Sequence, residues 1–323
     1  MLIRFPEPVF KLITIKNKHM KNHFSSFGFI LLFYVCSCNS GSNTKTQNDA
    51  INIREVKSVF INGDSLHYVD IGKGDPVVFV HGGLGDYRTW DAQMDEFAKN
   101  HRVIAYSRRY AYPNKQTVSE SADFSVTPNS KDLTEFIKAL KLEPVHLVGH
   151  SYGAFTALLT TIEHPDLVRS LTLGEPPVMS LLPPPSPNDA NPFAKAVEAI
   201  ANNEQEKAVS NFLGVVTGDS VYFSKLPQRD REIMMANITE LKGVLYTQNP
   251  FPMVTCDDLR NIKTPVKLVT GEKSPLFFNL IIKELDRCLS NREKAILPNT
   301  THGLEYENPS EFNKEVLAFI DKH

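Results

Sequence analysis

The sequence predicts an α/β fold, a mostly parallel central sheet flanked by helices, and three observations carry that reading. Short apolar runs such as Pro76-Val77-Val78-Phe79-Val80 lack polar alternation, which marks strands covered on both faces. Segments of helical spacing alternate with these runs on a regular rhythm. The rhythm then breaks at a proline-rich stretch followed by three helical segments, an inserted helical block in the sheet. With 323 residues, 41% hydrophobic, the chain is long enough to bury such a core.

Taken in order, the runs 57–61 and 66–71 read as strands joined through Asn62-Gly63-Asp64, a strong hairpin signal. Residues 76–80 form the first buried strand, 90–99 a helix, 102–106 a strand and 131–140 a helix with Phe136, Ile137 and Leu140 on one face. The strand 145–148 leads into a helix from Ala154 to Glu163, which His164-Pro165 ends, and then into a strand over 168–173. Pro176, Pro177, Pro183, Pro184, Pro185, Pro187 and Pro192 open the insertion, with helices expected at 193–201, 205–213 and 228–241. Within it, Met234, Met235, Ile238, Leu241 and Leu245 recur at helical spacing and read as the core of a cap. The sheet resumes with a strand at 266–270, a helix at 277–289, a strand at 294–297 and a last helix at 309–322. The implied organisation is a core of residues 53–177 and 251–323 with a helical cap over 178–250.

The N-terminus reads differently. From Met20 a basic start, a short apolar stretch and Val35-Cys36-Ser37-Cys38 follow one another, as in a secretory signal, and the apolar stretch is short for a membrane span. Residues 1–37 are read as a signal peptide, with Met20 as an alternative start. Val35-Cys36-Ser37-Cys38 resembles a bacterial lipobox, which implies that Cys38 carries the lipid and that residues 38–52 are a lipid-anchor cysteine and a flexible tether. The expectation is an exported lipoprotein, anchored to a membrane at the outer membrane or periplasm, or otherwise secreted.

Composition excludes other classes. Lys+Arg 35 against Asp+Glu 37 gives a net charge of −2 without an extended basic tract, so nucleic acid is not an expected partner. The four cysteines show no metal-ligand spacing, and no metal or organic cofactor is expected. Cys256 and Cys288 could pair in an oxidising compartment, but spacing along the chain does not show proximity, and independent thiols are the preferred reading. The oligomeric state is left open.

The chemistry concentrates at Gly149-His150-Ser151-Tyr152-Gly153, between an apolar strand and a helix. In a sharp strand-to-helix turn only small flanking residues avoid collision, and the serine hydroxyl stands exposed at the carboxyl end of the sheet. A serine hydroxyl needs a base, and His302, in the loop after the last strand, is the candidate. His150 is read as a packing residue of the turn and His81 as a structural one. In His81-Gly82-Gly83-Leu84-Gly85 the glycines let the backbone approach a substrate carbonyl, so the N–H groups of Gly83 and Tyr152 are the candidate oxyanion hole. Arg108, Arg109 and Tyr110, on the rim after the fourth strand, are candidates for binding a carboxylate or an aromatic group of a small-molecule substrate, the alternative being a self-satisfied rim with its arginines paired to nearby Asp or Glu.

Together, His81-Gly82-Gly83, the Gly149–Gly153 turn, the helical insertion and the late histidine resemble the α/β-hydrolase superfamily over essentially all of residues 53–323. That resemblance implies a serine hydrolase cleaving an ester or related acyl bond. It also implies an acid after the seventh strand, but the corresponding position here is Ser274. Some members, certain haloalkane dehalogenases and pancreatic-type lipases among them, place the acid at the end of the sixth strand instead, which here is Glu175. Glu175 is the favoured third residue, with Glu272, Asp257 and Asp258 as alternatives. A serine at the turn speaks against dehalogenase or epoxide hydrolase chemistry, which needs a carboxylate nucleophile. A carbon–carbon bond or lactone hydrolase on the same residues, or a catalytically inactive surface binding protein, are the rival readings.

Overall fold

The computed structural model describes residues 54–323, apart from 115–117, 119–121, 185, 187 and 188. The signal segment, Cys38 and the whole tether therefore lie outside the described residues. Among these, eight strands form one sheet: β1 (Lys57–Ile61), β2 (Asp64–Gly72), β3 (Pro76–Val80), β4 (Arg102–Tyr106), β5 (Val145–His150), β6 (Val168–Gly174), β7 (Val266–Gly271) and β8 (Arg292–Leu297). Their spatial order is β1-β2-β4-β3-β5-β6-β7-β8. The β1/β2 and β2/β4 pairs are antiparallel and every later pair is parallel.

The uniform apolarity of β3 has a direct structural counterpart. Val78 and Val80 pack into one core cluster with Tyr106, Phe136 and Phe155, and Val77 and Phe79 pack into another with Trp90, Phe97 and Phe312. Successive side chains of a strand point to opposite faces, so both faces must be covered. Helices Val126–Ala139, Tyr152–Glu163 and Leu276–Cys288 contribute to the first cluster. Helices Asp91–Phe97 and Pro309–Ile320 contribute to the second.

Between β6 and β7 the chain forms helices Ala194–Ala201, Gln205–Thr217, Tyr222–Lys225, Gln228–Ala236 and Ile238–Tyr246. The last four share a third cluster that includes Val209, Leu213, Phe223, Met234, Ile238 and Leu241, together with Leu84 and Phe278 of the core. The single helix expected over 228–241 is broken at Asn237, whose backbone leaves helical geometry (φ −109, ψ 16). The buried Asn237 amide donates to Asp86 Oδ2 (2.8 Å), and its Oδ1 accepts from the Tyr112 N–H (2.7 Å). These tertiary bonds outweigh local helical periodicity.

One cysteine reading is corrected. Cys256 and Cys288, expected as independent thiols, are joined by a disulfide. The bond links the short helix Cys256–Arg260 to the last residue of helix Leu276–Cys288. Thirty-two residues separate the two cysteines, and β7 with its flanking turns brings the helices together, a closeness that spacing along the chain does not encode.

Candidate active site

β5 ends at His150 and helix Tyr152–Glu163 begins two residues later, so Ser151 alone makes the turn. Its backbone sits at φ 52, ψ −122, a left-handed region that non-glycine residues rarely occupy. The Ser151 N–H donates to the Gly174 carbonyl at 2.7 Å, which anchors the turn to the end of β6. The glycines permit the approach: a Cβ on Gly149 would lie 2.6 Å from the Ala154 Cα. One on Gly153 would fall on the carbonyl oxygens of Val80 and His81.

His302 follows β8 in the loop that leads to helix Leu304–Glu307 and is 5% exposed. Its Nε2 lies 3.0 Å from Ser151 Oγ and its Nδ1 lies 2.7 Å from Glu175 Oε2. The carboxylate can only accept, so the proton of neutral His302 resides on Nδ1 and Nε2 presents its lone pair to the serine. Phe278 stacks on the imidazole with ring centroids 3.9 Å apart, which fixes the ring plane. Burial is the largest influence on His302 and lowers its pKa, against the opposing pull of Glu175.

Glu175 is the residue after β6 and is fully buried. Its Oε1 accepts from Thr270 Oγ1 at 2.7 Å and from the Gly271 N–H at 2.9 Å. Burial acts to raise its pKa, and the hydrogen bonds, led by His302, outweigh it, so the carboxyl pKa falls below its ordinary value and the group is ionised. The other acids do not reach the histidine. Glu272 accepts from the Asn299 N–H at the surface (2.8 Å), Asp257 pairs with Arg260 (2.5 Å), and Asp258 caps its own helix at Thr255. Ser274 is buried, and this loop supports the acid through Thr270 and Gly271 without supplying it.

Ser151, His302, Gly83 and Tyr152 all border a cavity of about 480 Å³ between core and cap. The Tyr152 N–H is the first of a 12-residue helix and has no intrahelical acceptor. Space around Gly83 is open toward the cavity, with no atom within 4 Å of the place a Cβ would take. Most of the remaining wall is apolar and includes Phe193, Phe212, Leu213, Met234, Leu241, Leu245, Phe251 and Phe277. Met234, Leu241 and Leu245 thus serve as both cap core and cavity wall.

The rim residues separate. Arg108 borders the cavity, but its guanidinium donates to the His81 carbonyl (3.2 Å), the Gly82 carbonyl (3.1 Å) and Glu240 Oε2 (2.9 Å), and lies 4.3 Å over the Tyr152 ring. It braces the loop that carries Gly83, and its charge is already paired. Arg109 and Tyr110 do not line the cavity, contrary to expectation. Arg109 binds Asp132 through two bonds of 2.6 Å, and Tyr110 packs on Phe124 with centroids 4.3 Å apart. Their charge and ring area are satisfied within the core before any ligand arrives.

Glu240 escaped sequence reading because one acid on an amphipathic cap helix looks like a solvated residue. It is 4% exposed, faces the cavity, and burial pushes its carboxyl up to about 7 against the opposing Arg108 charge. Phe278 was equally silent, as an aromatic in an apolar helix. Among the described residues no group of three or more His, Cys, Asp or Glu converges to hold a metal ion.

Comparison with known proteins places this geometry in a family. A family model described as the alpha/beta hydrolase fold matches residues 75–229. (E)-2-((N-methylformamido)methylene)succinate hydrolase of Acinetobacter baylyi is 30% identical over 268 residues, 80% of this chain and 95% of that protein. Epoxide hydrolase 3 of Mus musculus is 22% identical over 307 residues, 84% of this chain and 77% of its own. In fold, the chain is similar to a thermophilic esterase from Thermogutta terrifontis, with TM-score 0.69 at 19% identity, covering 83% of this chain and 98% of that one. Such a sheet and insertion, in such company, define a hydrolytic enzyme. The chain belongs to the α/β-hydrolase family.

Proposed function

We propose that this hydrolase cleaves an ester or related acyl bond of a small, uncharged and largely apolar substrate, with Ser151 as nucleophile, His302 as base and Glu175 as its orienting acid. The observation that carries the reading is the unbroken chain of hydrogen bonds from Ser151 through His302 to Glu175, opening on an apolar cavity. Ser151 Oγ attacks the acyl carbon as His302 Nε2 takes its proton, and the oxyanion that forms is held by the N–H groups of Gly83 and Tyr152. His302 then returns the proton to the departing alkoxide, leaving an acyl-serine. Water, deprotonated by the same nitrogen, releases the acid and restores the serine.

Similarity to an epoxide hydrolase supports the fold and not that reaction, because epoxide opening through an ester intermediate needs a carboxylate where this chain has Ser151. An acidic substrate, as in the carbon–carbon bond hydrolase reading, would have to draw on Arg108, the sole Arg or Lys on the described cavity wall, which is hydrogen-bonded to Glu240, since Arg109 is outside the cavity.

A fluorophosphonate probe tests the mechanism directly. It should label the wild-type chain at Ser151 and leave Ser151→Ala unlabelled; a folded wild type that resists the probe overturns the mechanism and favours the binding-protein reading. We further propose that the chain is exported and lipidated at Cys38. The lipobox-like sequence supports this, and so does the Cys256–Cys288 disulfide, which suits an oxidising compartment. In a bacterial host, radiolabelled fatty acid should be incorporated into the wild type and lost in Cys38→Ser; equal incorporation in both would refute the anchor.

A further inference from the structure

One buried pair beside the candidate triad has no part in the mechanism above. His150, the residue before the nucleophile, is 7% exposed, and Glu305, three residues after His302, is 1% exposed. His150 Nδ1 lies 2.9 Å from Glu305 Oε1, and His150 Nε2 lies 2.8 Å from the main-chain carbonyl of His302. One ring nitrogen thus meets a carbonyl that accepts a hydrogen bond, and the other stands at ion-pair distance from a carboxylate that has no other partner among the described residues. The His302 carbonyl takes the one N–H of a neutral imidazole, and a buried carboxylate 2.9 Å from the other nitrogen favours a second proton within the pair. Among the described residues His150 is the only basic group within ion-pair distance of the Glu305 carboxylate. Imidazole is the stronger base of the two, so the proton belongs on the ring, and the carboxylate balances it.

We propose that His150 and Glu305 form a second, buried imidazolium–carboxylate pair that positions the His302 loop and suppresses protonation of the His302 ring, so that the base stays available in mildly acidic surroundings. The inference rests on the Ser151–His302–Glu175 reading. Two structural facts support it. The His150 N–H grips the carbonyl of the very residue that must face Ser151. The two imidazole centroids are only 4.7 Å apart, with little solvent between them to screen a charge.

The groups around His302 decide the sign. Glu175, from the end of β6, and Glu305, from helix Leu304–Glu307, favour protonation of His302; the His150 charge, from the end of β5, opposes it. Phe278 covers one ring face without charge. On the cap side Tyr222 lies against Gly303, and burial raises its phenol pKa so that it remains neutral. On the β4 side Arg108 is hydrogen-bonded to Glu240, whose carboxyl, pushed up to about 7, takes up its proton in the wild type and in both variants alike. For His150 itself, burial is the largest influence and lowers its pKa, yet Glu305 and Glu175 outweigh it and the net direction is upward. Removing the imidazolium therefore raises the His302 pKa, and activity should fall off at a higher pH on the acid side.

The test is the pH dependence of the rate at which a fluorophosphonate inactivates the full chain, in wild type, His150→Asn and Glu305→Gln. His150→Asn retains an N–H for the His302 carbonyl and loses the charge. Its acid limb should move up by about one pH unit. Glu305→Gln removes the counter-charge, so that His150 titrates as a neutral ring; its limb should move in the same direction by less, because the Glu305 charge is lost too. Glu305→Gln carries the test alone if His150→Asn fails to fold. A purely structural role would lower the plateau rate and leave the limb in place, and that result overturns the proposal. Absence of labelling in the wild type at every pH instead refutes the triad reading, and this inference falls with it.

Discussion

Glu175→Gln should lower kcat by roughly 10³–10⁴-fold with a much smaller change in KM. The wild-type carboxylate accepts the His302 Nδ1 proton at 2.7 Å, and this places the Nε2 lone pair 3.0 Å from Ser151 Oγ. A glutamine can rotate its amide to donate at the same place. It would then stabilise the tautomer with the proton on Nε2, which cannot act as base toward serine. In the proposed mechanism the carboxylate also balances the imidazolium formed as the serine proton is taken, a role the neutral amide does not fill. Glu272→Gln is the matched comparison: that side chain bonds the Asn299 N–H at the surface, and its rate should stay within a few-fold of wild type. Steady-state kinetics on a short-chain ester, with circular dichroism to verify folding, decide the matter. A Glu175→Gln enzyme with a near-normal kcat would exclude Glu175 as the orienting acid.

Gly153→Ala should destabilise the fold by at least about 3 kcal/mol, lowering Tm by about 10 °C or preventing accumulation of folded protein. The obstacle is backbone: the new methyl would collide with the carbonyl oxygens of Val80 and His81, at the end of β3 and the residue after it. Neither oxygen can move without shifting β3, which is hydrogen-bonded to β4 on one side and β5 on the other. Gly83→Ala is the contrast, since nothing lies within 4 Å of its Cβ position. It should melt close to wild type, whatever the added methyl does inside the cavity. Equal thermal stability of the two variants would mean that the helix behind Ser151 can back away from β3, and the close packing argued for this turn would be wrong.

Much of this was legible before any coordinates. Continuous apolar runs mark β3 and β5 because a strand covered on both faces has no position for a polar side chain. Asn62-Gly63 marks the hairpin because both residues accept positive φ, observed at 47° and 86°. Ser151 and His302 were visible because strained turns and late loop histidines leave local signatures. Glu175 was visible only as a favoured choice, resting on its place at a strand end before two prolines. The break at Asn237, by contrast, had no local signal, since its partners Asp86 and Tyr112 lie more than a hundred residues away.

Short-range and through-space interactions divide the features of this molecule between them. Strand and helix order, the serine turn, the position of the loop histidine and the glycine-rich loop follow from short-range sterics and periodicity, which a few neighbouring residues specify. Which charges remain free depends on partners brought together by the sheet. Arg108 and Arg109 look alike in sequence, yet one braces the Gly83 loop against Glu240 and the other closes on Asp132. His150 looked like packing until Glu305 met one ring nitrogen and the His302 carbonyl the other. Electrostatics and hydrogen-bond satisfaction act through space, so folding alone assigns these side chains their roles.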